Sequence, residues 1–435
     1  MKFININQYV GEKKRKGQMG SFLIILVMIV LYTNAFGYVG WNSTYGGWIK
    51  NIIAIIFLAF MLLNWPKSRK FHFRSEMFLL SFLPFLSILN TNSLYGQGYL
   101  DSIKTLSSGC LVWIFYILLH KYKVQEATIL KVFLAIALFV VAVQVIQQFT
   151  YPHALFGIRN EETMAEKGLI DYAEQRNGLW RFRLNGGQYF PILILFACAV
   201  WIRERFNNKL MILIIFMLIS VYLSLTRQII AACLLALFCS FFLGKKNSNY
   251  IQAVLIGVII ASLIYSYSDV LFGSLAEQTK DDMSDSYIRV LSGTYFWNES
   301  ISSPLVFLFG HGLPGQTGSF KQLMSQLNQI MGYYPVDVGF IGMTYTFGAI
   351  YVVVCYRLLW KIFFTFKKYT PMYIRLYVIF GGVMSIMIFP MESTINCLIW
   401  AILMYITDLY IEKGVNVNNI MAKKKDYNNP LTDYV

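Results

Sequence analysis

Residues 210–244 read LMILIIFMLISVYLSLTRQIIAACLLALFCSFFLG, and Arg227 is the one charge among them. Drawn as a single helix this stretch would be about 50 Å long at 1.5 Å per residue. A bilayer's hydrocarbon core is about 30 Å thick and needs roughly 20 residues to cross. The chain must therefore break near Arg227, giving spans at 210–226 and 228–244. No Gly, Pro or Asn stands at the junction. Length and the single charge specify the break, not a turn residue.

The rest of the chain is built in the same way. Hydrophobic residues are 57% of the 435, aromatics 17% and charged residues 14%, and mean hydropathy is +0.54. Soluble domains carry roughly 25% charge. This balance excludes a disordered chain, a secreted disulfide scaffold and an ordinary cytosolic enzyme. The net charge of +15 would suggest nucleic acid in a soluble protein. In a membrane protein it reflects basic inner loops, and no nucleic-acid partner is expected.

Apolar runs predict an all-α polytopic membrane protein of about twelve spans. They lie near 19–37, 48–65, 76–91, 103–119, 127–149, 187–202, 210–226, 228–244, 250–267, 337–357, 372–389 and 396–411. Those at 76–91, which contains Pro84, and the pair at Arg227 are the least regular. With the N-terminus inside and strict alternation, the inner side receives 26 of 37 basic residues and 8 of 22 acidic ones. That meets the positive-inside rule and puts both termini in the cytoplasm. Lys13–Lys16 followed by Phe22–Tyr32 and Ala35-Phe36-Gly37 has the outline of a signal peptide. An uncleaved anchor is preferred, because cleavage would invert every later loop.

Residues 1–411 are expected to form one membrane domain, with a flexible cytoplasmic tail over 412–435. Cys110, Cys198, Cys233, Cys239, Cys355 and Cys397 all fall inside predicted spans, so no disulfide framework is readable. No repeat of 20 to 50 residues appears. Neither HExxH, H-x-E nor a Cys/His cluster is present, so no metal or other cofactor is expected.

Two long connections fall outside, at about 150–186 and 268–336. Long loops are usually functional or disordered, and aromatic and apolar residues weigh against disorder here. Tyr287, Val290, Leu291, Thr294, Tyr295 and Asn298 follow a helical spacing, as does the stretch from Phe320 to Leu327. Both predict amphipathic helices over the outer mouth, where they either line a site or simply cap the bundle.

The candidate site residues lie in and beside these loops. Arg176, Arg181 and Arg183 stand within eight residues, flanked by glycines. Arginine presents a planar fork of donors suited to phosphate. Lipid phosphates, or the nearby Glu161, Glu162, Glu166, Asp171 and Glu174, are alternative partners. Arg227, between two minimal spans, needs a partner or a wet cavity unless it snorkels from a hairpin tip. Arg289 gains interest if it converges with these arginines. Gly310-His311-Gly312-Leu313-Pro314-Gly315 matches G-x-G-x-x-G in letters but lacks the βαβ context of a dinucleotide site. A tight turn with open amides for an anion is expected instead. Of four histidines, His153 and His311 alone can serve an outer site. Asp337, beside Tyr334 at the mouth of the tenth span, is either a helix-start carboxylate or a general base. Glu392 after Pro390 is a similar, weaker case.

The order of these features resembles a known family. Arg181-Phe-Arg-Leu-Asn-Gly-Gly runs into a span, and Ser224-Leu-Thr-Arg227 joins two spans. Tyr287-Ile-Arg289, Tyr295-Phe-Trp297, Pro304-Leu and Phe309-Gly-His-Gly312 follow in a large outer loop, which ends at Asp337-Val-Gly-Phe-Ile-Gly. Together they resemble the O-antigen and capsule polymerases of the Wzy type over residues 127–390, and more distantly the O-antigen ligases. The resemblance implies a membrane glycosyltransferase outside the plasma membrane. Its donor and acceptor would be undecaprenyl-diphosphate-linked oligosaccharides, and a chain-length regulator and a flippase would be neighbours. It implies that Arg227 and Arg289 match the family's arginines and act catalytically with Asp337 as candidate base. Arg176, Arg181, Arg183, His311 and Tyr334 would then bind the diphosphate or substrate. Ligases carry a histidine of a His-Asn pair near the position of Asp337, which favours a polymerase. A ligase, or a lipid-linked sugar transporter, is the alternative.

Overall fold

A computed structural model describes residues 43–63, 71–150, 173–176, 179–182, 189–203, 208–223, 227–243 and 287–427. The expected spans at 19–37 and 250–267 lie outside the described residues, as does the end of the tail beyond Tyr427.

The described chain is helical except for one hairpin. Helix α1 is Ser43–Leu63. Then α2 (Arg74–Phe82), a 3-10 turn (Leu83–Leu86) and α3 (Ser87–Tyr95) make one irregular rod. Pro84 sits in the 3-10 turn. It has no N–H to give a regular ladder, so the rod tightens there. Helix α4 (Tyr99–Cys110) bends through a second 3-10 turn (Leu111–Ile114) into α5 (Phe115–Tyr122). Lys123 closes α5 in the left-handed conformation, with Val124 N–H returning to Leu119 O at 3.3 Å, a cap usually made by glycine. Helix α6 (Glu126–Thr150) is long and apolar on all sides, and Glu126 stands at its positive end.

Strands β1 (Ala173–Arg176) and β2 (Leu179–Phe182) pair antiparallel. They qualify the all-α expectation. Next come α7 (Tyr189–Arg203), α8 (Asn208–Leu223) and α9 (Arg227–Leu243). The break required at Arg227 is present, and Arg227 is the first residue of α9. Beyond it lie α10 (Ile288–Ser300), α11 (Pro304–Phe309) and α12 (Ser319–Gln329). The two amphipathic helices thus stand where their spacing put them. A 3-10 turn (Pro335–Val338) leads into α13 (Gly339–Trp360), and α14 (Met372–Met384) and α15 (Thr394–Tyr427) complete the chain. Helix α15 continues past residue 412, so the expected tail begins inside a helix rather than at its end.

Four helical stretches are long and apolar enough to cross a membrane: Arg74–Tyr95, Glu126–Thr150, Pro335–Thr365 and Thr394–Gly414. A fifth is the bent pair Tyr99–Ser107 and Leu111–Tyr122, at 46°. Among the described residues four or five stretches, not twelve, meet that standard. The expected spans around 48–65, 187–202, 210–226, 228–244 and 372–389 are represented by shorter apolar helices.

The main core centres on Trp113, Phe115, Tyr116, Trp400 and Tyr405, all fully buried. A second cluster of Phe296, Phe320, Met324, Leu327, Val338 and Tyr345 lies beneath α10 and α12. Phe320, Met324 and Leu327 share one face of α12 by the i, i+4, i+7 spacing, so that face packs inward.

Helix α13 is broken at Gly348, whose φ is +84°. The break exposes carbonyls that a continuous helix would use. His311 N–H donates to Tyr345 O at 2.7 Å and Gly312 N–H to Thr346 O at 2.8 Å. The loop after α11 therefore completes the ladder of the broken helix. Helix α3 holds that loop from the other side. Asn90 Nδ2 donates to Gly310 O at 2.9 Å and Thr91 Oγ1 to His311 O at 2.6 Å. Gly315 N–H donates to Gln97 Oε1, just beyond α3, at 2.7 Å.

Candidate functional site

The elements whose ends were assigned to one side come together. Met387, in the turn after α14, is the hub. Gly339 N–H donates to Met387 O at 2.8 Å and Phe340 N–H to Ser385 O at 3.0 Å, which ties the start of α13 to this turn. Gly339 has φ +54°, and a Cβ there would lie 2.4 Å from the carbonyl oxygens of Ser385 and Ile386. Only glycine permits so close an approach.

Two further elements reach the same methionine. Gln228, the second residue of α9, places its amide Nε2 2.9 Å from Met387 Sδ. Arg289, near the start of α10, has Nη1 4.0 Å from the same sulfur and its guanidinium 5.9 Å from the Tyr287 ring centre. The starts of α9 and α10, which carry Arg227 and Arg289, thus converge across about sixty residues of intervening sequence. The side chain of Arg227 lies outside the described part of the structure. Arg289 forms no ion pair with a carboxylate among the described residues.

Asp337 is in the 3-10 turn before Gly339, half-buried, with its N–H on Tyr334 O at 3.1 Å. Tyr334 is half-buried in the same turn. Glu392 is the second carboxyl of the site. Burial, and after it the negative charge of Asp337, pushes it up to about 8. Its Oε2 is buried without a hydrogen-bond partner. Gln228 Oε1 and Ser292 Oγ are unmet in the same way, and Ser292 lies one turn from Arg289 on the same face of α10. Such atoms are uncommon in a folded protein and call for an explanation.

The arginine-rich loop contains the hairpin. Its register puts Glu174 opposite Arg181 and Arg176 opposite Leu179. Trp180 N–H donates to Gln148 Oε1 at 3.0 Å, and Gln148 Nε2 donates to Trp180 O. This fastens the ribbon to the end of α6. Arg183 lies outside the described residues.

His311 is corrected. It is 2% exposed, hydrogen-bonded through Nδ1 to Tyr95 Oη at 2.7 Å and stacked on Tyr345 with centres 4.3 Å apart. Burial pulls its imidazole down to about 4. A neutral, enclosed ring cannot bind a diphosphate. The expected open amides fail for the same reason. The N–H groups of Gly310, His311, Gly312 and Gly315 are all given to protein acceptors. The signal missed in the sequence was the need of broken helix α13 for donors.

A second polar cluster forms at the other end of the helices. Asp408 is fully buried and accepts from Tyr116 Oη, with His72 Nδ1 and His120 Nε2 each at 3.1 Å. Glu76, also fully buried, is 3.1 Å from both Lys361 Nζ and Arg357 Nε. Every one of these groups is matched by another, which describes a staple rather than a binding site.

Neither a family model nor a curated protein matches this chain.

Proposed function

We propose that the protein is a membrane glycosyltransferase that polymerises undecaprenyl-diphosphate-linked repeat units on the outer face of a bacterial plasma membrane. The observation that carries this reading is the meeting, at one turn around Met387, of the α9 and α10 starts with two carboxyls. The reaction moves a sugar from a diphosphate to a hydroxyl. It needs cationic donors for the charge developing on the leaving diphosphate, and a base near the acceptor. Arg227 and Arg289 take the first role. Arg176, Arg181 and Arg183 extend the cationic surface from the hairpin loop, and Tyr334 lines the approach beside Asp337. The carboxyl pair supplies the base. An outward-facing site requires the topology with both termini in the cytoplasm. A chain-length regulator and a flippase are the partners such a reaction uses.

The break in α13 favours a second reading, a transporter, because discontinuous helices often form ion and substrate sites. A transport site uses the carbonyls freed at such a break. Here Tyr345 O and Thr346 O are occupied by the His311 and Gly312 amides, which weighs against it.

The deciding experiment is the length-resolved glycan profile of cells lacking the protein. A polymerase is expected to leave a single repeat unit on its normal acceptor and no ladder. Complete lipid-linked chains that never reach the acceptor would indicate a ligase. Single units trapped on the inner face would indicate a flippase, and an unchanged ladder would end the glycan reading.

A further inference from the structure

We propose that Glu392, rather than Asp337, takes the proton of the acceptor hydroxyl, and that Gln228 and Ser292 hold sugar hydroxyls beside it. The inference rests on the glycosyl-transfer reading above and assigns its unassigned base.

The argument begins with the unmet atoms. Glu392 Oε2, Gln228 Oε1 and Ser292 Oγ are buried side-chain oxygens with no partner. A buried acceptor left unmet is destabilising. Gln228 Oε1 only accepts, Ser292 Oγ can accept and the Glu392 carboxyl accepts once it is ionised, so their complement is a ligand rich in O–H groups. A saccharide fits that description, since each hydroxyl brings one donor. A phosphate does not, because it brings acceptors.

The Glu392 carboxyl is engaged on one side by the Phe389 backbone, which favours its ionised form, and Oε2 is left over. The turn carrying it is held by other groups. Trp400 Nε1 donates to Pro390 O at 3.0 Å, and Cys397 Sγ lies 3.2 Å from Met391 O. The start of α15 is served by Ser393 Oγ, which accepts from Asn396 N–H at 3.3 Å. Glu392 is therefore rigidly held with one oxygen uncommitted, as a base must be.

The groups around it set its proton affinity. Asp337 faces it from the turn before α13 and Cys397 from α15. Arg289 and Gln228 stand across Met387 on α10 and α9. Burial and Asp337 together bring Glu392 to about 8, close to the working range of a general base. Asp337 is a positioning residue in this scheme. In the step itself the acceptor O–H gives its proton to the ionised Glu392 carboxylate as that oxygen bonds to the donor sugar's anomeric carbon. The bond from that carbon to the phosphate oxygen breaks, and its electron pair leaves on the diphosphate beside Arg289.

The test uses the full-length protein in membranes from a deletion strain complemented with variants. The probe is the lipid-linked repeat unit extracted from that deletion strain. Glu392→Gln is expected to lower the transfer rate at least about 100-fold at unchanged protein level. Wild-type rate is expected to rise with pH to a plateau, with its midpoint near 8. Asp337→Asn is expected to move that midpoint to lower pH, a shift that a structural role would not produce. An active Glu392→Gln variant overturns the inference while leaving the polymerase reading intact. If Glu392→Gln fails to accumulate, an unshifted midpoint in Asp337→Asn overturns it instead. A deletion strain with an unchanged ladder removes the reading and the inference together.

Discussion

Arg289, expected to act catalytically, and His311, expected to bind diphosphate or substrate, come from the same long stretch between spans, and burial separates them. Arg289 is partly exposed at the start of α10 and meets no carboxylate among the described residues. Arg289→Ala is expected to reduce polymer formation by about two to three powers of ten, the usual result of removing one donor from a developing anion. Arg289→Lys is expected to restore only part, because the ammonium lacks the planar fork. Glycan gels at matched protein levels check both. For His311 the effect is on stability. Its folded form is held neutral with its proton affinity near 4, below that of an unfolded histidine near 6.5. Below pH 6.5 the unfolded chain binds the extra proton first. Stability therefore falls as pH drops from about 6.5 toward 4 and then levels off. Melting in detergent across that range is expected to show the slope, and His311→Gln to flatten it.

At the scale of elements, the informative feature is the mutual support of broken helix α13 and the glycine loop. Gly348 has φ +84°, and a Cβ there would lie 2.2 Å from Leu308 O. Gly310 has φ +76°, and its Cβ would lie 2.4 Å from Thr346 O. Alanine at either position is expected to cost at least about 3 kcal/mol, from backbone strain and a clash with main chain. Gly382 in α14 has open space around it, so Gly382→Ala is expected to be neutral or slightly stabilising. Detergent melting of the three variants measures the contrast. The sequence marked Gly310, Gly312 and Gly315 as a tight turn; they form an irregular loop with positive φ at Gly310 and Gly312, whose partner lies some thirty-five residues away with no local pattern to announce it. The hairpin was more accessible. Arg176-Asn177-Gly178-Leu179 has Asn-Gly between its strands, the strongest short hairpin signal. Helix α12 was legible because an i, i+4, i+7 stripe is a local property; α10 forms where its spacing predicts, but it buries Ser292, Gly293, Phe296 and Ser300 and leaves the expected Val290 and Leu291 exposed.

For the whole molecule, the two polar clusters sit at opposite ends of the helices. The Met387 end gathers Arg289, Asp337 and Glu392. The other end gathers His72, Glu76, Arg357, Lys361 and Asp408. Glu76→Gln is expected to destabilise the protein by about 3 kcal/mol, because it leaves the cations of Lys361 and Arg357 without their buried counter-ion. A lowered melting midpoint in detergent, with the glycan ladder retained at low temperature, would show the effect. Orientation is testable at this scale too. The native cysteines are buried or half-buried, so a single introduced cysteine can be read against a low background. Gln322→Cys on α12 and Lys367→Cys beyond α13 are both exposed positions. An impermeant maleimide is expected to label the first in intact cells and the second only after permeabilisation.

Sequence alone determined that this is a membrane-class helical chain, where it must break at Arg227, and which face of α12 turns inward. Composition, length and periodicity are sums over neighbours and need no knowledge of the fold. The tertiary structure decided which polar groups are spent and which are left over. It consumed His311 and the glycine amides in repairing α13, and it matched Asp408 and Glu76 with distant partners. It left Glu392 Oε2, Gln228 Oε1 and Ser292 Oγ unmet. Hydrogen-bond satisfaction is a property of residues remote in the chain and adjacent in space, and no reading along the sequence can supply that adjacency.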